Sequence, residues 1–265
     1  MLPRVITIAN QKGGVGKTTT TINLGTALAA VGERVLIIDL DPQGNASTGL
    51  GIELEQRRSS IYDVLSGDMT LTECVQDTAV PRLSVVPSTL DLLGFEQEAM
   101  GTRDRSYRLR RAIDALPAGK GEAPFGYVLI DCPPSLNLLT INALAAAQSV
   151  LVPLQCEFFA LEGLSQLLRT VEHVRVNLNP ELAIHGIVLT MFDRRNNLSS
   201  QVVDDVRQFM GDQVYETVIP RNVRVSEAPS FGKPVLLYDV GCAGSQAYIH
   251  LASEVIKRER ALRAA

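Results

Sequence analysis

The sequence predicts an α/β fold, a doubly wound, mostly parallel β-sheet with helices on both faces. Three observations carry that expectation. The composition is aliphatic-rich and aromatic-poor, with 46% hydrophobic residues, 5% aromatics and no tryptophan, which suits strands buried on both faces beneath helices. The first forty residues read as strand, glycine-rich turn, helix and second strand, a unit that implies parallel pairing through a right-handed crossover. Strand and helix patterns then alternate nearly to the end, without internal repeat, low-complexity tract or break in composition, so a single domain over residues 1–265 is expected.

Taken in order, residues 4–9 (RVITIA) read as a short buried strand. Residues 17–31 read as a helix with Ile22, Leu24, Ala27 and Leu28 on its apolar face, ended by Gly32. Residues 34–40 (RVLIIDL) are a second strand. Over residues 42–80 the pattern loosens around Pro42, Gly44, Gly49 and Gly51, leaving short helical pieces such as 61–65. Next come a strand at 83–86, helices at 90–100 and 107–116, and a Gly/Pro-rich loop at 117–124, too short for a domain linker. Strands at 127–130, 149–152 and 184–191 then alternate with helices at 136–147, 160–176 and 199–210. Val235 reads as extended, and residues 244–263 as a closing helix.

The formal net charge of −4 argues against a surface that coats nucleic acid as a whole. A local basic patch stays compatible with it, because salt screens charges beyond about 8–10 Å. Cys74, Cys132, Cys156 and Cys242 form no C-x-x-C pair and no zinc spacing, so free, mostly buried thiols are expected. The amino terminus lacks a signal-peptide pattern, and no apolar run reaches the roughly 18 residues of a spanning helix. A soluble, cytoplasmic protein is the expectation.

The turn between the first strand and helix carries the chemistry. It reads Lys12, Gly13, Gly14, Val15, Gly16, Lys17, Thr18, Thr19. A loop that cradles phosphates must aim several backbone N–H groups at one point, and side chains there would block the ligand; hence the glycines. The helix that opens at Lys17 adds its positive end. Lys17 places an ammonium on the β and γ phosphates of a nucleoside triphosphate, and the Thr18 hydroxyl is the natural first Mg²⁺ ligand. In the usual G-x-x-x-x-G-K-[ST] form a glycine opens the loop. Here Gln11 stands in its place and Lys12 follows, so this is a variant P-loop with a second lysine. Residues 125–131 (FGYVLID) form an apolar strand ending in Asp131, suited to orient Mg²⁺ through water. Asp39 and Asp41 close the second strand, where a carboxylate can place the attacking water.

The set KGGVGKTTT, DLDPQGN, DCPPS, IPRNVRVSEAPS and GKPV resembles the ParA/Soj partition ATPases of the deviant Walker A (MinD/ParA) class, over almost the whole chain. The resemblance implies an ATP- and Mg²⁺-dependent switch in which two subunits sandwich two ATP molecules and drive chromosome or plasmid partition. Residues 12–19 would hold the nucleotide. Lys12 resembles the signature lysine that reaches the partner's nucleotide, Lys17 and Thr18 match the phosphate lysine and the metal ligand, and Asp41 matches the carboxylate needed for hydrolysis. Asp131 matches the Walker B aspartate, and Pro220 and Asn222 match positions lining the adenine. Lys12 finds that partner phosphate only in a dimer, so ATP favours the dimer and hydrolysis reverses it. The resemblance also implies non-specific binding of double-stranded DNA by the ATP-bound dimer, with Arg195 and Arg224 as DNA-contacting residues. It implies a ParB-like centromere-binding partner and association with the nucleoid. Because the P-loop begins at residue 12, no N-terminal helix-turn-helix domain is expected.

Three rivals are weighed on residues. A MinD-like membrane ATPase needs a bulky amphipathic tail, whereas residues 257–265 (KRERALRAA) are basic with little apolar bulk. An iron–sulfur reductase could use Cys132, yet residues 90–110 supply no second thiolate. A non-enzymatic DNA coat would not need Lys17, Thr18, Asp41 and Asp131 together. The run Arg103, Arg105, Arg108, Arg110, Arg111 reads as an exposed helix and its lead-in.

Overall fold

Continuous apolar runs become strands buried on both faces. Every residue of β2 (Val35–Asp39), β4 (Leu83–Val86) and β5 (Tyr127–Asp131) is buried. The structure, a computed structural model, describes residues 3–117 and 125–264; the loop expected at 117–124 lies outside them except for Pro117. The strands β1 (Arg4–Ile8), β3 (Gln76–Asp77), β6 (Ser149–Gln155), β7 (Ala183–Phe192) and β8 (Val214–Pro220) complete one sheet. Its order is β3-β4-β2-β5-β1-β6-β7-β8. Neighbours pair in parallel, except β3, which runs antiparallel on β4.

Alternate strand residues point to opposite faces, and two apolar layers result. Val5, Leu36, Ile38, Val128, Ile130 and Val152 face α4 (Leu92–Glu98), α5 (Arg108–Asp114), α6 (Leu138–Ala146), α7 (Ala160–Asn177) and α8 (Asn197–Met210). Ile6, Ile8, Ile37, Leu129 and Leu151 face α1 (Lys17–Ala30), α10 (Val235–Tyr238) and α11 (Ala243–Ala264). Shorter helices are α2 (Asn45–Gly49), α3 (Ile61–Ser66) and α9 (Val223–Glu227). The doubly wound expectation holds. The four cysteines are free, three of them buried. Among the described residues no helix is long and apolar enough to cross a membrane.

The structure corrects one local expectation and adds elements that the sequence pattern did not show, β3, β8, α2 and α9 among them. Val235 opens the single-turn helix α10 instead of an extended segment. Pro234 sets the entry, and Val235 N–H is held by Asn23 Oδ1 at 2.8 Å. Strand β8 escapes an apolar-run search because it is the sheet edge and carries Glu216 and Thr217, whose N–H groups donate to Glu254 of α11. Helix α2 is too short to show a period.

At the amino-terminal ends of β1, β7 and β8, a buried polar cluster fastens α11. Glu259 faces Arg4 Nε and His185 Nε2, the latter at 2.8 Å. Arg258 donates to the carbonyls of His185, Asp212 and Val214 and lies 4.1 Å from the centre of the Tyr215 ring. Burial pushes the Glu259 carboxyl up, but His185 and Arg4 outweigh it, leaving the group below its ordinary value of 4.5. A depressed carboxyl contributes stability above its unfolded pKa and loses it as pH falls through the folded one. Glu259→Gln leaves Arg4 facing no charge and is expected to cost about 3–5 kcal/mol at pH 7. The gap from wild type should narrow on acidification below about pH 4.5, which thermal melts from about pH 7 down to about pH 2.5 measure. A pH-independent gap refutes the assignment.

Candidate nucleotide-binding site

The carboxyl ends of β2, β5 and β1 lie side by side at the centre of the sheet, where open α/β sheets bind ligands. The pairing sets Ile8, Asp131 and Asp39 in one row. From the end of β1 the chain turns through residues 10–16 into α1. Gly14 (φ 75°) and Gly16 (φ 90°) adopt left-handed backbone, which glycine allows without strain. A Cβ at Gly13 or Gly14 would meet no protein atom within 4 Å, so the space beside them is open. Helix α1 begins without a side-chain cap and has no acidic residue in its first turn. Its first N–H groups and positive end are therefore available to an anion.

Lys17 is only 7% exposed, and its Nζ donates to the Lys12 carbonyl at 2.9 Å. Burial lowers its pKa, opposed by Asp131, Cys132 and Asp41. Asp131 Oδ1 accepts from Thr21 Oγ1 at 3.1 Å, and Thr18 lies beside the same carboxyl. Its Oδ2 is buried with no partner. Burial and neighbouring Asp39 push Asp131 up to about 8, against the two threonines. The structure thus brings the expected metal pair, Thr18 and Asp131, together.

The two aspartates that end β2 separate. Asp39 has no exposure. Its Oδ2 accepts from Ser47 N–H (2.8 Å) and Ser47 Oγ (2.7 Å), and its Oδ1 from Asp41 N–H (3.3 Å). Burial raises it to about 6 despite these bonds. Asp41 is 8% exposed and accepts from Gln43 N–H at 3.0 Å. Asp39 is an anchor, whereas Asp41 keeps some exposure and, among the described residues, holds only the Gln43 N–H on its carboxylate.

Gln11, in the place of the usual first glycine, turns to α7 and donates to Thr170 at 3.2 Å. Lys12 leads out of its own site: its ammonium pairs with Glu157, between β6 and α7, and both remain partly exposed. Thr190 of β7 donates to the Val15 carbonyl at 2.9 Å, tying the loop to the other half of the sheet. There β8 ends at Pro220, beside Phe192. Asn222 caps α9, accepting from Arg224 N–H at 2.9 Å. Gly244 of α11 packs beside Asn222, and Tyr248 meets Thr20 of α1 at 3.4 Å. Thr19 opens onto a cavity of about 300 Å³ together with Thr18, Asn45 and Lys233.

Both candidate DNA arginines already hold carboxylates. Arg195, 88% exposed, grips Asp193 with Nε (3.0 Å) and Nη2 (2.8 Å), and this pulls Asp193 down to about 2. Arg224 pairs with Glu227 at 3.0 Å and Asp239 at 3.6 Å, its guanidinium 6.0 Å from the centre of the Tyr238 ring. In the basic run, Arg108 donates to the Leu65 carbonyl (2.7 Å) and Arg111 pairs with Asp104 (2.7 Å). Cys132 is fully buried and its thiol is raised well above its ordinary value, burial being the main cause.

Sequence reasoning missed Thr21, Ser47, Glu157 and Thr190. Thr21 had a signal: it lies three residues after Thr18, on the same helix face. The other three reach the site only through tertiary packing.

Uncapped helix, left-handed glycines, buried lysine and strand-end aspartates define a P-loop ATPase. A family model described as "AAA domain" matches residues 3–184. The chain is 66% identical over 257 residues to the chromosome partitioning protein ParA of Caulobacter vibrioides, covering 97% of this chain and 95% of that protein. It is 52% identical over 252 residues to the sporulation initiation inhibitor protein Soj of Bacillus subtilis, covering 95% and 98%. A solved Mycobacterium smegmatis structure, described as cobyrinic acid a,c-diamide synthase with bound ATP analogue and magnesium, superposes with a TM-score of 0.84. It is 36% identical and covers 98% of this chain and 96% of its own. The chain belongs to the ParA/Soj family of chromosome-partitioning ATPases.

Proposed function

We propose that the protein is an ATP-dependent dimerisation switch for chromosome or plasmid partition, binding DNA without sequence specificity as the ATP-bound dimer. The observation that carries this reading is the direction of Lys12. Lys17 already serves the loop, while the second ammonium is held on Glu157, between β6 and α7. A lysine placed so has a use when a second subunit presents a triphosphate. Lys12 then exchanges Glu157 for the partner's phosphate, and hydrolysis removes that reward.

Residues 12–19 supply the loop amides and hydroxyls that hold the triphosphate, and Pro220 and Asn222 line the base. The buried, unpartnered Oδ2 of Asp131, with Thr18 beside the same carboxyl, fits a Mg²⁺ ion, which Thr18 and Asp131 would hold. When bound, Mg²⁺ neutralises charge between the β and γ phosphates. Asp41 orients the attacking water. A ParB-like centromere-binding protein stimulates turnover, and the ATP state keeps the protein on the nucleoid.

Arg195 and Arg224 exchange their carboxylates for DNA phosphates. Exposed pairs of this kind are worth only about 0–1 kcal/mol, so little opposes the exchange. Arg195→Ala or Arg224→Ala should each remove two phosphate contacts per dimer. The slope of log K against log salt then falls by roughly 2, while ATP-dependent dimerisation persists. Salt titrations of DNA binding with a non-hydrolysable ATP analogue measure this; unchanged affinity and slope in both variants put the patch elsewhere. ATPase assays with and without non-specific DNA test the function itself. Stimulation by DNA is expected, whereas stimulation by anionic vesicles alone defeats the reading in favour of a membrane-associated ATPase.

A further inference from the structure

The loop that carries Asp41 is fixed from outside by two side chains with no place in the nucleotide site. Ser88 follows β4, one strand from β2, and has no exposed surface. Its hydroxyl donates to the Asp41 carbonyl at 2.6 Å. Its N–H donates to Ser47 Oγ at 3.1 Å, and that hydroxyl donates onward to Asp39. Its carbonyl accepts from Arg57 Nη1 at 3.1 Å. All three polar groups of Ser88 therefore serve the segment that holds Asp41.

Arg57 is 7% exposed, and among the described residues no carboxylate forms an ion pair with it. Its remaining donors go to the Ile52 carbonyl (3.1 and 2.9 Å) and to Thr48 Oγ1 (2.7 Å). Thr48 Oγ1 donates to the Gly44 carbonyl at 3.1 Å, and Gly44 N–H to the Asp41 carbonyl at 2.9 Å. Gly44 has φ 63°, and a Cβ there would stand 2.2 Å from Arg57 Nη1. A guanidinium buried against neutral acceptors is costly. What it supplies is direction, because its donors form a rigid planar fork.

We propose that Ser88 and Arg57 are positioning residues for ATP hydrolysis, fixing the main chain at Asp41 so that its carboxylate meets the attacking water. This rests on the reading of Asp41 as the water-placing group. Misplacing a reacting group by about 1 Å costs up to roughly 10²-fold in rate, and one carbonyl bond is a short lever on such a displacement.

The test compares Ser88→Ala, Asp41→Ala and the double variant in the full chain, with MgATP and DNA. Gly44 N–H still satisfies the Asp41 carbonyl in Ser88→Ala, so folding is preserved. Its kcat should fall about ten-fold while KM for ATP and ATP-dependent dimerisation stay put. In the Asp41→Ala background, Ser88→Ala should have no further effect on single-turnover phosphate release, because its action runs through Asp41. Arg57→Lys, which keeps the charge and loses the fork, should lower kcat in the same direction. Wild-type kcat in Ser88→Ala beside an inactive Asp41→Ala overturns the proposal and spares the reading of Asp41. An equal fall in both backgrounds also overturns it, since the effect then bypasses Asp41. Wild-type turnover by Asp41→Ala sinks the reading and the proposal together.

Discussion

Asp41→Ala should yield a protein that binds ATP, pairs and holds DNA, yet hydrolyses ATP at least about 10²-fold more slowly, the low end of what a positioned acid or base contributes. The geometry explains why no neighbour rescues it. Asp39 is two residues away, but Ser47 occupies one of its oxygens twice and Asp41 N–H the other. Its burial raises it to about 6. Asp131 is equally buried and faces Thr18 and Thr21. Asp41 alone of the three has some exposure, and its removal leaves the P-loop bonds intact. Phosphate release measured beside ATP-dependent DNA retention checks both halves; brisk turnover by the variant ends the water-placing role.

Lys12→Ala should abolish ATP-dependent dimerisation. A dimer holds two copies of the lysine contact. Losing a buried, charge-assisted contact costs about 2 kcal/mol or more, so two losses weaken the dimer by roughly 10³-fold. The monomer gives up little. The Lys12–Glu157 pair is partly exposed, so Glu157 left alone is solvated and the fold is spared. Sedimentation with and without MgATP distinguishes the outcomes, and a dimer of wild-type affinity removes the support for a lysine acting across the interface.

These two residues also mark how far a sequence can be read. Strands such as Val35–Asp39 and Tyr127–Asp131 were legible because both faces are buried, and burial on both faces writes an unbroken apolar run. The edge strand Val214–Pro220 was not, since one side of it answers to Glu254 and solvent. Lys12 was legible as an extra lysine, but Glu157 lies 145 residues away and only folding brings them together. By spacing alone the Asp39/Asp41 pair reads as two equivalent carboxylates, and only the family resemblance singles out Asp41. Ser47 and Ser88 tell them apart, through bonds to a side chain in one case and a carbonyl in the other. Motif spacing records local geometry; it does not record which polar groups a neighbouring strand will satisfy.

The carboxylate partners of Arg195 and Arg224 bear on how long a DNA-bound subunit would stay in place. A guanidinium that already grips Asp193, or Glu227 with Asp239, meets a phosphate by trading one anion for another. Each trade releases little energy in either direction, so a single contact has a short lifetime, and lasting attachment needs several made at once. Under the proposed function a dimer makes twice as many such contacts as a monomer, and separation of the subunits turns a long dwell into a brief one without any change at the contacts themselves. Under that same reading, the carboxylates beside Arg195 and Arg224 would act as a built-in release path, returning each arginine to a partner on its own chain whenever the phosphate lets go.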